Sequence, residues 1–225
     1  MEKTIYHGSA SIIEKPVFGF GKVRNDYGLG FYCTEEISIA KEWGVSKDTD
    51  GYANIYKIET DGLSIFYLNS GEYTILHWLA VLLENRIFDI GSALAQEAKD
   101  YLLKNFAVPY KEYDIIVGFR ADDSYFSFAQ DFINGAISYR QLRAAMYLGE
   151  MGEQFVVVSE RAFAQLRYKR CEKAMRGDWL FKKLERDRKA RTEYLTSDRF
   201  KYQKGGLYVA TILDEEIKPG DKRLT

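Results

Sequence analysis

A chain of 225 residues, 46% hydrophobic and 15% aromatic, is long and apolar enough to bury one sizeable core or two small ones, which excludes disorder as a description of the whole. With 32 Lys and Arg against 33 Asp and Glu its formal net charge is -1, so overall charge selects no nucleic-acid, membrane or acidic-substrate partner. Two cysteines, Cys33 and Cys171, and two histidines, His7 and His77, are too few for the usual Cys/His zinc site or a disulfide scaffold, and no metal is expected.

Met1 to Gly8 offers neither a basic start nor an apolar stretch, so no secretory signal is read there. Thr4-Ile5-Tyr6 reads as a strand that ends at His7-Gly8-Ser9. A Gly-rich loop with Gly19, Gly21, Gly28 and Gly30 leads to Gly30-Phe31-Tyr32-Cys33-Thr34. Thr34 is the expected N-cap of a helix running to about Trp43, with Glu35 and Glu36 in its first turn. Ala53–Ile58 and Leu63–Tyr67 read as strands of a hairpin turning at Asp61-Gly62. Leu76, Leu79, Ala80, Leu83 and Ile87 repeat at helical spacing, as do Leu94, Ala98, Tyr101 and Leu102. The most apolar window, Ile75–Leu83, is interrupted by His77, read as a partly buried structural residue, and is far short of a membrane span. A reducing cytoplasm, free thiols and no membrane partner are expected.

Tyr113–Phe119 is a continuous apolar run of the kind found in the middle of a sheet. Helices are expected over Phe126–Asn134 and Tyr139–Leu148, the second capped by Ser138 and stopped by Gly149. Gln154–Val158 reads as a strand, followed by a helix capped by Ser159. Leu207–Leu213 reads as a last strand. Strands and helices come in mixed order without regular alternation, which points to an α+β fold. Composition changes near Arg167: between Arg167 and Lys204 there are 14 Lys and Arg and 6 Asp and Glu, a balance of +8 that leaves -9 elsewhere. This segment reads as a helical, solvent-exposed extension. Its charge, with Tyr168, Trp179, Phe181, Tyr194, Phe200 and Tyr202, also suits phosphate contacts and base stacking, or an acidic partner protein.

Three strings carry the chemistry: Tyr6-His7-Gly8-Ser9, Asp26-Tyr27-Gly28-Leu29-Gly30-Phe31-Tyr32-Cys33-Thr34, and Gly152-Glu153-Gln154-Phe155-Val156. In this order they resemble the ADP-ribosyltransferase superfamily, in its diphtheria-toxin and poly-ADP-ribose-polymerase-like branch with a His, Tyr, Glu triad on three strands. More narrowly the chain resembles a bacterial family, the domain of unknown function numbered 3990. That family shares Tyr-His-Gly-Ser, Gly-x-Gly-Phe-Tyr-x-Thr, an Ala-x-x-Trp helix (Ala40 to Trp43) and a Tyr-Asp-x-x-x-Gly strand (Tyr113 to Gly118) followed by an Asp pair, here Asp122-Asp123. The resemblance covers roughly residues 4 to 168. It implies a split β-sheet core with a helical insertion over residues 1–168, and a basic C-terminal extension, 169–225, that ends in a strand and packs on the same domain.

The resemblance also implies NAD as co-substrate. Tyr6, His7, Gly8, Ser9, Gly28, Gly30, Phe31 and Tyr32 would then bind it: Gly8 backbone groups hold the carboxamide, Tyr32 stacks on the nicotinamide, and His7 with Ser9 hydrogen-bonds the adenosine ribose. Gly28 and Gly30 would let the backbone approach the cofactor. The third triad position falls on Glu153 or Gln154. Adjacent strand residues face opposite sides, so one of the two enters the site. A carboxylate there would stabilise an oxocarbenium-like state; an amide would orient the ribose without acting as a base. Asp122 and Asp123 are then candidates for activating the acceptor. The expected function is mono-ADP-ribosyl transfer to a protein or nucleic acid, in a toxin or phage-defence effector that an antitoxin protein would neutralise. A non-catalytic binding module and an NAD glycohydrolase are the alternatives.

Overall fold

Period-two alternation of apolar residues builds two sheets. β1 (Glu2–Ser9), β3 (Gly51–Glu59) and β7 (Leu166–Ala174) form an antiparallel sheet with β3 in the middle. β2 (Phe31–Cys33), β6 (Glu153–Val157), β5 (Ile115–Phe119) and β4 (Ile65–Tyr67) form the second in that order, with β4 parallel to β5 and the other pairs antiparallel. The protein is thus α+β with mixed helices and sheets, and the apolar run of β5 occupies an interior position. The structure, a computed structural model, describes residues 1–121, 123–150 and 152–224, without the side chains of Asp123 and Glu150.

Alternate residues of the second sheet feed two cores. Phe31, Cys33, Ile115, Val117, Phe155 and Val157 meet Ile5, Tyr56 and Ile58 of the first sheet. Ile116 and Val156 face a larger helical core. That layer holds α2 (Ile75–Asn85), α3 (Ala93–Asn105), α4 (Asp123–Ile133) and α5 (Tyr139–Ala145), while α1 (Ile37–Gly44) packs on β1 and β3. Ile75 to Leu83 are all buried, as a helix apolar all round should be at the centre of a core. His77 is buried there, and its Nδ1 accepts the Thr74 N–H at 2.9 Å. Short α6 (Glu160–Phe163) is capped by Ser159; α7 (Arg176–Thr196) and α8 (Val209–Asp214) complete the chain. Among the described residues, no helix is long and apolar enough to cross a membrane.

Three expectations are corrected. Ala53–Ile58 and Leu63–Tyr67 form no hairpin: both edges of β3 are taken by β1 and β7, so β4 leaves for the other sheet and pairs with β5. Leu207–Leu213 does not form a strand but contains most of α8. Its β-branched residues suit a strand locally, yet Val209 and Ile212 are both buried in the helical core, at the i, i+3 spacing that a helix against α3 requires. Thr34 is not the N-cap of α1; its backbone exchanges two hydrogen bonds with Tyr6, and Glu36 occupies the cap position. In addition, β7 runs through the expected boundary at residue 168 and pairs with β3 on both sides of it.

Asp114 of the Tyr113–Gly118 motif is a structural node. Its carboxylate accepts from the backbone N–H and hydroxyl of Ser64 (2.7 and 2.9 Å), from Ser159 Oγ (2.6 Å) and from Arg161, tying the approach to β4 and the exit from β6 to β5. Arg161 first, then the Ser159 and Ser64 donors, hold its pKa below the ordinary carboxylate range against the opposing effect of burial. Replacing Asp114 by Asn is expected to cost about 2 kcal/mol at neutral pH. Because the native pKa is depressed, the carboxylate's contribution is complete above the unfolded value of about 4 and fades as the pH falls toward the native one. Urea unfolding of both proteins across this range checks the prediction: the gap should be widest at pH 7 and narrow steadily in acid.

Candidate active site

The two sheets touch along one edge. Tyr6 N–H donates to the Thr34 carbonyl (2.8 Å) and Thr34 N–H to the Tyr6 carbonyl (2.9 Å), an isolated antiparallel bridge. Continued by two residues, that register would set Gly8 opposite Tyr32. The strands part instead, and the Tyr32 carbonyl accepts from His7 Nδ1 at 2.7 Å. Since a carbonyl only accepts, Nδ1 carries the proton, and in the neutral ring Nε2 is left as an acceptor. Burial pushes the His7 pKa below its ordinary value, against the opposing pull of the Tyr32 carbonyl, so the neutral form prevails at pH 7. The ring also stacks on Phe31, with centroids 4.3 Å apart.

Alternation decides which side chains of the second sheet face the helices. Tyr32 lies opposite Val156, so Tyr32, Val156 and Gln154 share that face. Gln154 is buried, 4% exposed. Glu153 points the other way, is exposed, and accepts from Asn69 Nδ2 at 2.7 Å. Of the adjacent pair, the amide and not the carboxylate enters the site.

Gln154 meets a buried carboxylate from the loop before β2. Asp26, 5% exposed, accepts from Gln154 Nε2 (2.6 Å), the Ala121 N–H (2.9 Å) and Arg86 Nη1 (2.7 Å). Neighbouring contacts pin the same loop: Tyr27 Oη donates to the Phe119 carbonyl (2.6 Å), and Tyr32 Oη accepts from Tyr27 N–H (3.0 Å) and donates to the Gly28 carbonyl (2.6 Å). Tyr27 reaches this place because residue 118 is glycine; a Cβ there would lie 2.3 Å from the Tyr27 oxygen. Burial raises the Tyr32 pKa far above the ordinary tyrosine value, so its hydroxyl stays a neutral hydrogen-bonding group.

Above Asp26, Tyr32 and Gln154 opens a cavity of about 410 Å³, within the usual range for small-molecule sites. Trp43 and Glu42 of α1 form one side, Arg120, Ala121, Ser124 and Tyr125 another, and Lys183, Leu184, Arg186, Asp187, Ala190 and Arg191 of α7 close it. The basic extension is therefore a wall of the cavity and not only a solvated helix. Arg186 fastens it: Nη2 and Nε donate to the two oxygens of buried Glu42 (2.6 and 3.1 Å), and Nη1 to the Gly149 carbonyl (3.0 Å). The Arg120 guanidinium lies 3.4 Å over the centre of the Trp43 ring. Among the described residues, Arg86, Arg120, Lys183, Arg186 and Arg191 against Asp26, Glu42 and Asp187 give the lining two more positive than negative charges.

The structure brings together Tyr32 and Gln154 of the expected site residues, and sets His7 behind Tyr32 without its lining the cavity. Tyr6 is held in the bridge and Phe31 is buried under His7. The Ser9 hydroxyl is occupied, accepting from Asn54 Nδ2 (2.9 Å) and donating to the Ser11 carbonyl (2.5 Å). The glycines answer to the protein's own packing: a Cβ at Gly8 would lie 2.0 Å from the Ala40 carbonyl oxygen, at Gly28 2.9 Å from Asn85, and at Gly30 2.7 Å from Val156. Asp122 and the side chain of Asp123 lie outside the described residues. Sequence reading missed Asp26, Glu42, Trp43, Arg86, Arg120 and the inner face of α7. Signals existed for two of these, since Asp26 opens the second motif string and Trp43 ends the Ala-x-x-Trp helix. Cys33 is wholly buried, which pushes its thiol pKa up and keeps it a packing residue. Among the described residues, no three His, Cys, Asp or Glu side chains are grouped to hold a metal ion.

These features define an α+β protein with two sheets joined at a single bridge and a cationic, aromatic cavity beside that junction. The chain belongs to a family described as protein of unknown function (DUF3990), whose model matches residues 3–168. The comparison with curated proteins finds no match, and neither does that with solved structures. The matched region ends within β7, so α7, the cavity wall, lies outside it.

Removing the Glu42 charge (Glu42→Gln) is expected to loosen α7 at a cost of roughly 3 kcal/mol, because the half-buried Arg186 guanidinium loses the charge of buried Glu42. Amide exchange should accelerate across residues 176–196 while β5 and β6 keep their protection; equal acceleration in the strands would contradict the latch.

Proposed function

We propose that this protein is an NAD-dependent mono-ADP-ribosyltransferase with the split-sheet architecture of that superfamily, acting on a macromolecular acceptor in the cytoplasm. The reading rests on one observation above all: the three motif strings meet where β1 and β2 part, His7 holding the Tyr32 backbone from behind while the Tyr32 and Gln154 side chains line the cavity. The cavity beside them has the character a dinucleotide needs. Tyr32 offers an aromatic ring to a flat heterocycle, and the surplus positive charge of the described lining suits a diphosphate.

In this reaction the bond from ribose C1′ to the nicotinamide nitrogen breaks and its electron pair neutralises the pyridinium ring. An oxocarbenium-like ribose remains, the acceptor atom bonds to C1′, and its proton passes to a base or to water. His7 serves by fixing the Tyr32 backbone through Nδ1, which sets the Tyr32 ring at the cavity. Tyr32, neutral at all working pH values, contributes its ring. Gln154 hydrogen-bonds the ribose beside the breaking bond. A Gln in this place supplies no charge of its own, which favours one second reading, a binding module for NAD or ADP-ribose without turnover.

The test is nicotinamide release from NAD together with transfer of labelled ADP-ribose into separate protein, RNA and DNA pools. Tyr32→Ala and His7→Ala should each lower nicotinamide release by about 100-fold or more. Binding of NAD with no release in any pool would leave the binding module; depletion of NAD with no labelled macromolecule would mean hydrolysis; absence of NAD binding would overturn the reading.

A further inference from the structure

We propose that Asp26 is a positioning residue that holds the Gln154 amide in one orientation, its oxygen toward the cavity, so that an amide presents the acceptor atom a carboxylate would have supplied. The proposal rests on the reading of the cavity as the NAD ribose site and names the device that makes its neutral residue serviceable. An ionised carboxylate has only acceptors. Asp26 Oδ1 takes the Arg86 guanidinium and Oδ2 takes the Ala121 N–H, so whatever faces Oδ2 from β6 must also donate. Gln154 meets that demand with Nε2 at 2.6 Å. The opposite orientation would set two oxygens against each other in a buried space. With Nε2 committed, Oε1 is turned from Asp26, and Gln154 borders the cavity. Donation to a full negative charge also polarises the amide and strengthens Oε1 as an acceptor for a ribose hydroxyl. Arg86 and the Ala121 N–H hold the Asp26 carboxylate in place, which makes the orientation a property of the folded protein and not of the ligand.

A charge exchange tests this. Asp26→Asn removes the obligation to donate: the Arg86 cation holds the remaining oxygen, so the NH2 takes the Oδ2 side, leaves the Ala121 N–H without its acceptor and draws the Gln154 oxygen away from the cavity, and kcat for nicotinamide release should fall about tenfold or more, with KM for NAD changing less. Gln154→Glu sets two carboxylates together, so its activity should rise as the pH is lowered and one of them takes a proton. In the double variant Asp26→Asn/Gln154→Glu, the residue 26 amide donates to a residue 154 carboxylate whose other oxygen faces the cavity, and activity should return to within a few-fold of the wild type. Wild-type kcat in Asp26→Asn, or a double variant no better than it, overturns the proposal. Orientation is read independently in the unmodified protein by NMR with Gln side-chain 15N labelling: a slowly exchanging, downfield Gln154 NH2 with a cross-peak to the Ala121 N–H is expected, and a fast-exchanging NH2 without it overturns the proposal even if the variants do not fold. Should the wild type neither bind nor cleave NAD, the functional reading fails while the NMR result still decides the role of Asp26.

Discussion

A carboxylate taken out of water must collect donors or forfeit its charge, and much of the arrangement around the cavity follows from how Asp26 does so. Its three donors come from the end of α2, the chain beyond β5 and the start of β6. Once they converge, the loop that carries Asp26 has a fixed course, Tyr27 drops into the space left by Gly118, and the Tyr32 hydroxyl finds backbone partners within the same loop. The floor of the cavity is thus a solved hydrogen-bond problem within the protein itself.

The roof is held by a second buried charge pair. Apart from Ala190, α7 has no buried residue, so apolar packing cannot seat a helix of this length on the body. Polar contacts do it instead: Arg186 on Glu42, the Ser124 hydroxyl on Asp187, and Tyr194 Oη on Asp131 at 2.6 Å. Around it Lys41 pairs with Glu172 (2.8 Å) and Lys173 with Asp50 (3.0 Å). The opposite charges of the two chain segments therefore meet inside one molecule. Tyr194 stacks against Phe128 and Phe200, with centroids 4.2 and 4.9 Å away, and so serves packing, whereas Phe181 and Tyr202 remain exposed.

Legibility tracked the range of the forces involved. Local signals were readable: the Ser138 and Ser159 caps, the helical spacing of Leu76 to Leu83, and the alternation that sends Glu153 and Gln154 to opposite faces all depend on residues a few positions apart. Partner choice was not. The turn at Gly62 was visible, but not that β3 had both edges occupied; the β-branched run after Gly206 was visible, but not that α3 awaited Val209 and Ile212. The glycines of the motifs were read as room for a ligand; that a Cβ at Gly8, Gly28 or Gly30 would also meet neighbouring segments of the same chain was not legible.

The sequence by itself determined the α+β class, the family, and the three motif strings, because periodicity, caps and motif spacing are written in consecutive residues. Only the tertiary structure decided that Gln154 and not Glu153 faces the cavity floor in the company of a carboxylate, and that the basic helix becomes its wall. Asp26 and Gln154 are 128 positions apart, and Glu42 and Arg186 are 144. What such residues do depends on which donors and charges the fold sets against them, and no local pattern carries that information.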